Sequence, residues 1–232
     1  MNMKNKIFNK RNGLLFFAFI LTIASYICYH DLYQRKNRHL LITGCARSGT
    51  YYITNILKRC GYKIGHEFIK KDGACSWEMA VDTKKAPWDH GRNGYRFKHI
   101  FHQVRDPLKV IGSLYSSEPP QSFEFFREHI PEIKPGDSRL TQCAKYWYYW
   151  NLLAEAQAEW TYRIEELENV WGEMEMRLGK KLDRNVLESI PKNTNTRGDC
   201  EYFSWAKLEQ ELDPDLYQKI RVLAQKYGYS VQ

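Results

Sequence analysis

The stretch "HLLITGCARSGTYYITNILKRCGYKIGHE", residues 39–67, decides the fold. It joins an apolar run to a helical pattern through a loop bracketed by Gly44 and Gly49. A loop between a strand and a helix N-terminus offers unpaired backbone N–H groups at the positive end of the helix dipole, which suits an anion. The spacing G-x-x-x-x-G-T is that of a phosphate-binding loop, but Thr50 follows the second glycine where nucleoside triphosphatases place a lysine.

The loop contains one cation, Arg47, two positions before Gly49. Its planar guanidinium can contact a phosphate through two hydrogen bonds. Without the lysine and the magnesium-binding hydroxyl after it, the loop does not favour hydrolysis of ATP or GTP, or a structural magnesium ion. An ordinary glycine turn is the alternative interpretation of this pattern taken alone.

Predicted strands and helices alternate along the rest of the chain. Apolar runs predict strands at 39–43 and 97–104 and a further strand beginning near Thr161, whereas helical spacing covers 48–60, 138–160 and 213–229. Pro107 suits a first helical turn, and residues 118–121 read as a break. Strands separated by helices predict an α/β fold, a parallel sheet with helices on both faces, of the P-loop nucleotide-binding type.

The N-terminal segment predicts one transmembrane helix. Residues 14–29 are apolar and uncharged, and as a helix these 16 residues would span roughly 24 Å, short for a hydrocarbon core of about 30 Å. A basic tail, residues 1–13, precedes them, a polar stem covers 30–38, and the folded domain that contains the glycine loop is expected over 39–232. A cleaved signal peptide and a buried core helix are the alternatives.

Charge and cysteines exclude some classes of protein. The formal charge is +8, but residues 1–38 hold seven basic residues and one acid, which leaves only +2 for the remaining domain. A nucleic-acid binder would carry its excess in the domain, so none is expected as a partner. The six cysteines match no zinc spacing, and His99 and His102 have no ligand-spaced companions, so no metal site is expected.

Two motifs together resemble a known family. "ITGCARSGTYYITNIL" is similar to the 5′-phosphosulfate loop of the sulfotransferases that use 3′-phosphoadenosine 5′-phosphosulfate (PAPS). In "HQVRDPLKVIGSLYS", Arg105 and Ser113 resemble the family's strand-ending arginine and the serine eight residues later, which bind the 3′-phosphate. The resemblance implies that PAPS is the donor co-substrate. It implies donor-binding roles for Arg47, Ser48, Gly49, Thr50, Tyr51, Arg105 and Ser113.

Two softer matches extend the resemblance over roughly residues 39–229. "YWYYWNLLAEAQAEWTYRIEELE" resembles the family's long helix followed by a Y-R-x-E-x-L strand, where Tyr162 and Arg163 could be on the nucleotide side or structural. "NTRGDCEYFSW" resembles the C-terminal basic-glycine loop over the nucleotide, which implies cofactor-binding roles for Arg197 and Gly198. A domain of this length is lean for the family, so the loops that cover the acceptor are expected to be short.

Sulfuryl transfer also needs a base that takes the acceptor proton. Membrane-type members place a glutamate about twenty positions after the loop, which implies Glu67, while its neighbour His66 has a pKa nearer working pH. Adjacent residues of an extended segment point to opposite sides, so only one of the two is expected to face the sulfur. Arg47 and the loop N–H groups would stabilise developing charge. Trp77 could stack on adenine, line the acceptor cleft or belong to the core.

The sequence therefore predicts a membrane-anchored sulfotransferase that moves a sulfuryl group from PAPS to a hydroxyl or amine of a small-molecule or glycan acceptor. A glycan or lipid-linked sugar is favoured. A small-molecule P-loop kinase and a catalytically inactive nucleotide-binding module are the alternatives. The side of the membrane stays open: a bacterial enzyme would face the cytoplasm, where PAPS is made, and a eukaryotic one the Golgi lumen.

Overall fold

The structure is a computed structural model that describes residues 19, 21–23, 25, 36–88, 91–191 and 200–231. Its strands are β1 (Asn37–Gly44), β2 (Ile64–His66), β3 (Gly73–Cys75), β4 (Arg96–Val104) and β5 (Trp160–Arg163). Its helices are α1 (Thr50–Arg59), α2 (Pro107–Ser117), α3 (Pro120–His129), α4 (Arg139–Glu155), α5 (Trp171–Leu178), α6 (Val186–Ser189), α7 (Trp205–Glu211) and α8 (Pro214–Lys226). Short 3₁₀ turns lie at Glu78–Ala80 and Ile164–Glu166.

The five strands form one parallel sheet in the order β2-β3-β1-β4-β5. The predicted α/β class, with helices flanking a parallel sheet, is confirmed. The strand β1 is central, and the chain builds β2 and β3 on one side of it and β4 and β5 on the other. In such a sheet, ligands bind in the crevice outside the carboxyl ends of the strands where the order reverses, here between β1 and β4.

Two apolar cores cover the two faces of the sheet. On one face, α1 and α5 pack against Leu40, Ile42 and Phe101. On the other, α2, α3, α4 and α8 enclose a cluster in which Trp77, Trp147 and Trp150 are almost completely buried. The aromatic helix 139–155 thus forms the centre of the second core, and its apolar burial anchors the sheet from that side.

Side chains cap several of these helices. Asp106 accepts a hydrogen bond from the Lys109 backbone N–H at the start of α2, and Asp213 does the same for Asp215 and Leu216 at the start of α8. Each cap satisfies donors that the first helical turn leaves unpaired. Pro107 and Pro214 follow directly, at the position where a missing N–H costs nothing. The cap at Asp106 fixes where α2 begins after β4, directly beside Arg105 in the sequence.

Three differences from the sequence prediction bear on the sheet. The aromatic helix stops at Glu155, five residues early, because the following segment enters β5. The strands β2 and β3 were not predicted, since three residues are too few to show a period. The strand β1 begins at Asn37, inside the predicted stem.

The N-terminal prediction falls mostly outside the described residues. The chain divides into two compact units, residues 1–37 and 38–232. Within the predicted anchor 14–29, only residues 19, 21–23 and 25 are described, and they are helical. Within the described part of the chain, no helix combines the length and apolar character needed to cross a membrane.

Candidate functional site

A cavity of about 1130 Å³ lies at the carboxyl ends of the strands. Every strand of the sheet contributes a lining residue just after its end. In the order of the strands β1 to β5 these are Arg47, Glu67, Trp77, Arg105 and Ile164. The cavity therefore occupies the crevice that this strand order predicts as a ligand site.

The loop between β1 and α1 has a tightly curled backbone. Gly49, the residue before α1, has φ 93°, and Arg47 has φ 69° although it is not a glycine. A left-handed arginine carries a conformational cost of the kind that clusters at functional sites. At Gly44 a Cβ would lie 2.1 Å from the carbonyl oxygen of Gln103, so no larger residue fits there. The loop thus presses against β4 and turns its backbone toward the cavity.

Buried polar side chains support this loop from below. The Ala46 backbone N–H donates to the Tyr146 hydroxyl at 2.8 Å, and Gln103 Nε2 donates to the Ser48 carbonyl at 2.8 Å. Gln103 itself accepts a hydrogen bond of 2.7 Å from the Tyr162 hydroxyl. Such a satisfied network inside a core holds the loop in one conformation.

The two predicted anion-binding motifs meet at this loop. The Arg47 Nε donates to Ser113 Oγ at 2.9 Å, across from α2. The Arg105 guanidinium donates to the Arg47 carbonyl at 2.9 Å. All three residues line the cavity. Two cationic groups, a hydroxyl and a helix N-terminus therefore converge at one place in the described part of the chain.

The other predicted donor-binding residues divide into two groups. Gly49, Thr50 and Tyr51 line the cavity, Thr50 being the first residue of α1. Ser48, within the loop, is fully buried and is not a lining residue; its Oγ has no hydrogen-bond partner among the described residues. Arg197 and Gly198 lie outside the described residues.

Both candidates for the base, His66 and Glu67, line the cavity. Glu67 has φ 63° and ends the extended segment, so adjacent residues reach the same cavity. Which of the two would face the sulfur stays a prediction. Nε2 of His66 lies 3.2 Å from Thr50 Oγ1 and 3.6 Å from Glu67 Oε1. The histidine is thereby attached to the start of α1, whereas the Glu67 carboxyl group interacts with the Trp77 side chain and with the charges of Glu118 and Arg47.

Burial shifts the pKa of both groups away from their ordinary values. It lowers the pKa of His66 to about 4, with a smaller contribution from Lys58, so this imidazole is neutral at physiological pH. Burial raises the pKa of Glu67, and the nearby charge of Glu118 adds to the rise, while the Trp77 side chain and Arg47 oppose it. A carboxylate whose pKa is raised toward the working pH is a suitable general base.

Three further candidates have structural contacts. Trp77 is buried and belongs to both the core and the cavity wall. Tyr162 supports Gln103 from within the core and does not line the cavity. Arg163 donates to the Gly228 carbonyl at 2.7 Å and pairs with Glu166 at 3.0 Å, so it ties the C-terminal segment to β5.

Sequence reasoning missed several residues of the site. Gln103 had a visible signal, since an amide inside the apolar run 97–104 needs a buried partner. Glu118, Trp88 and Tyr202 had none, because they reach the cavity only through the packing of separate segments. In the described ranges no group of three or more His, Cys, Asp or Glu residues is arranged to hold a metal ion.

Comparison of the chain with known proteins does not identify a family. No model of a known protein family matches the chain, and no curated protein matches it either.

Proposed function

We propose that this protein is a sulfotransferase that moves a sulfuryl group from PAPS to a hydroxyl or amine of an acceptor, a glycan or lipid-linked sugar being favoured. The proposal includes an N-terminal membrane anchor over residues 14–29 and a catalytic domain of the P-loop nucleotide-binding type. It includes no metal, because Arg47 and Arg105 would face the phosphates of the donor.

One observation carries the proposal: the glycine loop and the Arg105–Ser113 motif share one cavity and contact each other. Arg47 connects them, since its side chain binds Ser113 and its carbonyl accepts from Arg105. The two phosphate-bearing positions of PAPS are separated by a single ribose ring. Two neighbouring cationic cradles fit that spacing, whereas a nucleotide with a single phosphorylated end would use only one.

The loop fits the sulfate-bearing end of the donor. The backbone N–H groups at the start of α1 and the Arg47 guanidinium would stabilise charge on the phosphosulfate oxygens. Arg105 and Ser113 would hold the 3′-phosphate, so that the donor is fixed at two points and the sulfur is aligned.

Glu67 fits the base. The acceptor O–H or N–H loses its proton to the Glu67 carboxylate while the acceptor atom bonds to sulfur. The S–O bond to the bridging oxygen breaks, and adenosine 3′,5′-bisphosphate leaves with that electron pair. His66 is tied to Thr50 and is neutral, so it fits a positioning role at the loop.

The kinase alternative has weaker support at this site. Its lysine is absent from the loop, and Thr50 faces His66 at 3.2 Å. An inactive binding module would use the same two cradles, so only turnover separates it from the enzyme.

Nucleotide preference tests the proposal directly. We expect the full-length protein to bind adenosine 3′,5′-bisphosphate more tightly than 5′-AMP or 3′-AMP in calorimetric titrations without metal. Because hydrogen bonds to charged groups are worth about 1.5–3 kcal/mol, Ser113→Ala or Arg105→Ala should weaken the bisphosphate about 10- to 100-fold. Either change should bring its affinity toward that of 5′-AMP.

A matched control lies on the same helix. Ser116 bonds to the Gly112 carbonyl and to the Glu201 backbone N–H, and it does not line the cavity. Ser116→Ala should keep the preference for the bisphosphate. Equal binding of all three nucleotides by the unmodified protein would refute the two-cradle assignment. Transfer of label from PAPS to a panel of glycans, lipids and tyrosine peptides then separates enzyme from inactive module.

A further inference from the structure

The carbonyl groups of the glycine loop bear on how well it can hold an anion. N–H groups stabilise an anion and carbonyl oxygens repel it, so such a loop needs its carbonyls turned away from the ligand. The Arg47 carbonyl accepts from the Arg105 guanidinium at 2.9 Å, and the Gly49 carbonyl accepts from the Ile53 N–H at 3.2 Å. The carbonyl between them, that of Ser48, is held by a residue that does not line the cavity.

That residue is Gln103 of β4. Its Nε2 donates to the Ser48 carbonyl at 2.8 Å, and the residue is fully buried. The backbone of β4 lies directly against the loop, because a Cβ at Gly44 would meet the Gln103 carbonyl oxygen at 2.1 Å. This close approach lets one amide side chain span the distance from the strand to the loop.

The orientation of the Gln103 amide is fixed from both ends. A carbonyl can only accept, so the NH₂ end of the amide must face Ser48. The Oε1 end then accepts a hydrogen bond of 2.7 Å from the hydroxyl of Tyr162, which is also buried. Burial raises the pKa of Tyr162, so its hydroxyl keeps the proton that it donates. Without this donor, the amide could rotate and set its oxygen against the Ser48 carbonyl.

The peptide unit between Ser48 and Gly49 carries this orientation to the cavity. The unit is planar and trans, so the Gly49 N–H points opposite to the Ser48 carbonyl. With the carbonyl bound on the buried side, the N–H is turned to the other side, where Gly49 lines the cavity. Gly49 directly precedes α1, so its N–H belongs to the end of the loop that the proposed function gives to the phosphosulfate.

We infer that Gln103 is a positioning residue for the 5′ end of the donor, with Tyr162 fixing its amide: the pair turns the Ser48 carbonyl into the core and the Gly49 N–H toward the phosphosulfate. This role rests on the proposed function and adds to it a residue that acts only through the loop. A residue that merely stabilised the fold would affect both ends of the nucleotide. The loss of Gln103 should instead be confined to the 5′ end, because the 3′-phosphate is assigned to Arg105 and Ser113.

Three nucleotides separate the two ends: 5′-AMP, 3′-AMP and adenosine 3′,5′-bisphosphate, each titrated calorimetrically into the full-length protein. Gln103→Leu should weaken 5′-AMP and the bisphosphate at least about tenfold, the worth of one hydrogen bond to a charged group, and leave 3′-AMP within about twofold. Tyr162→Phe should act in the same direction by about two- to tenfold, because it removes a hydrogen bond between neutral groups. Ser113→Ala should show the opposite selectivity.

Gln103→Glu tests the donated hydrogen bond itself. An ionised carboxylate would set an oxygen against the Ser48 carbonyl, whereas a protonated carboxyl group can donate to Ser48 and accept from Tyr162. Because burial raises the pKa of a carboxyl group, the 5′-AMP affinity of this variant should recover as the pH falls from about 8 to about 5. The affinity is expressed relative to the unmodified protein at the same pH, and Gln103→Leu should show no such recovery.

The matched control is an amide with the same two kinds of contact elsewhere. Gln142 donates to the Asp137 carbonyl at 2.9 Å and accepts from Arg127 at 3.3 Å, and it does not line the cavity. Gln142→Leu should leave the relative affinities of the three nucleotides unchanged. Tyr162→Phe decides the matter if Gln103→Leu does not fold.

The outcomes separate this role from the function beneath it. If the variants of Gln103 and Tyr162 weaken 3′-AMP as much as 5′-AMP, or weaken neither, the positioning role is overturned and the proposed function stands. If the unmodified protein binds the bisphosphate no better than either monophosphate, the proposed function falls and the positioning role falls with it.

Discussion

Glu67 shows how one backbone angle shapes the candidate site. Its φ of 63° ends the alternation of β2, so that His66 and Glu67 line the same cavity as adjacent residues. Alternation along a strand predicts opposite directions, and nothing in the sequence around Glu67 signals the exception. The two side chains differ in their partners: His66 contacts Thr50, whereas the charges of Arg47 and Glu118 act on Glu67.

Replacing Glu67 by Gln should reduce kcat by about 10²- to 10⁴-fold, the usual contribution of a general base, while donor affinity stays within a factor of a few. Because the pKa of Glu67 is raised, the carboxylate is lost as pH falls through that pKa, and activity should fall with it. His66 has a pKa of about 4, so it stays neutral at every pH well above that value. In pH–rate profiles, the acidic limb should disappear in the glutamine variant and persist in His66→Gln. The reverse pattern would assign the base to His66.

His102 gives a stability prediction at the same scale. Its ring is buried between Asn151 Oδ1 at 3.0 Å and Thr161 Oγ1 at 3.2 Å, and burial lowers its pKa to about 4. The unfolded chain takes up this proton near the ordinary value of 6.5, so stability is retained above that pH and lost as pH falls toward 4. Each pKa unit corresponds to about 1.36 kcal/mol, so the free energy of unfolding that His102 contributes should fall by about 3 kcal/mol as the pH reaches 4. Urea unfolding between pH 7 and 4 measures it, and His102→Gln should flatten the curve.

At the scale of elements, α2 is the connection between the parts of the site. It begins beside Arg105, carries Ser113 in its middle and ends at Glu118. Arg139 of α4 holds that end by donating to the carbonyls of Leu114 and Glu118. A cation at a helix C-terminus also interacts favourably with the helix dipole.

Arg139→Ala should lower the free energy of unfolding by about 2 kcal/mol, because it removes the hydrogen bonds to the Leu114 and Glu118 carbonyls and a guanidinium stacked 3.9 Å from the centre of the Phe123 ring. Arg139→Lys should recover part of this loss, since one ammonium cannot reach all the same acceptors. Arg127, which donates a hydrogen bond of 3.3 Å to Gln142, is the control, and Arg127→Ala should cost less than about 1 kcal/mol. Equal effects of the two alanine variants in urea titrations would contradict the capping role.

The elements that sequence could predict are those with a local signal. The strand Arg96–Val104 and the helix Pro214–Lys226 have long patterns or a proline at their start. The strands Ile64–His66 and Gly73–Cys75 exist because they pair with each other and with β1, which is tertiary information. The site divides in the same way. Arg47, Arg105 and Ser113 stand in recognisable spacings, whereas Gln103 and Glu118 reach the site only through packing.

At the scale of the whole molecule, the segments that follow the five strands all reach one cavity at the carboxyl end of the sheet. A ligand held there contacts segments that are distant in sequence, from the loop at Arg47 to the turn at Ile164. Because these segments come together only in the native state, such a ligand should stabilise the whole domain rather than one loop.

Adenosine 3′,5′-bisphosphate should therefore raise the melting temperature of the full-length protein. At a ligand concentration 100 times Kd the stabilisation is about 2.7 kcal/mol, which corresponds to roughly 5–10 °C for a domain of this size. Arg105→Ala should remove most of the shift, since one of the two cradles is lost, whereas Ser116→Ala should keep it. Magnesium with ATP should give a smaller shift, because the loop has no lysine for the β- and γ-phosphates. A larger shift with magnesium and ATP than with the bisphosphate would favour the kinase alternative, since a kinase needs the triphosphate and the metal together. The proposed pair of phosphate sites would instead select a nucleotide that is phosphorylated at both the 3′ and 5′ positions of one ribose.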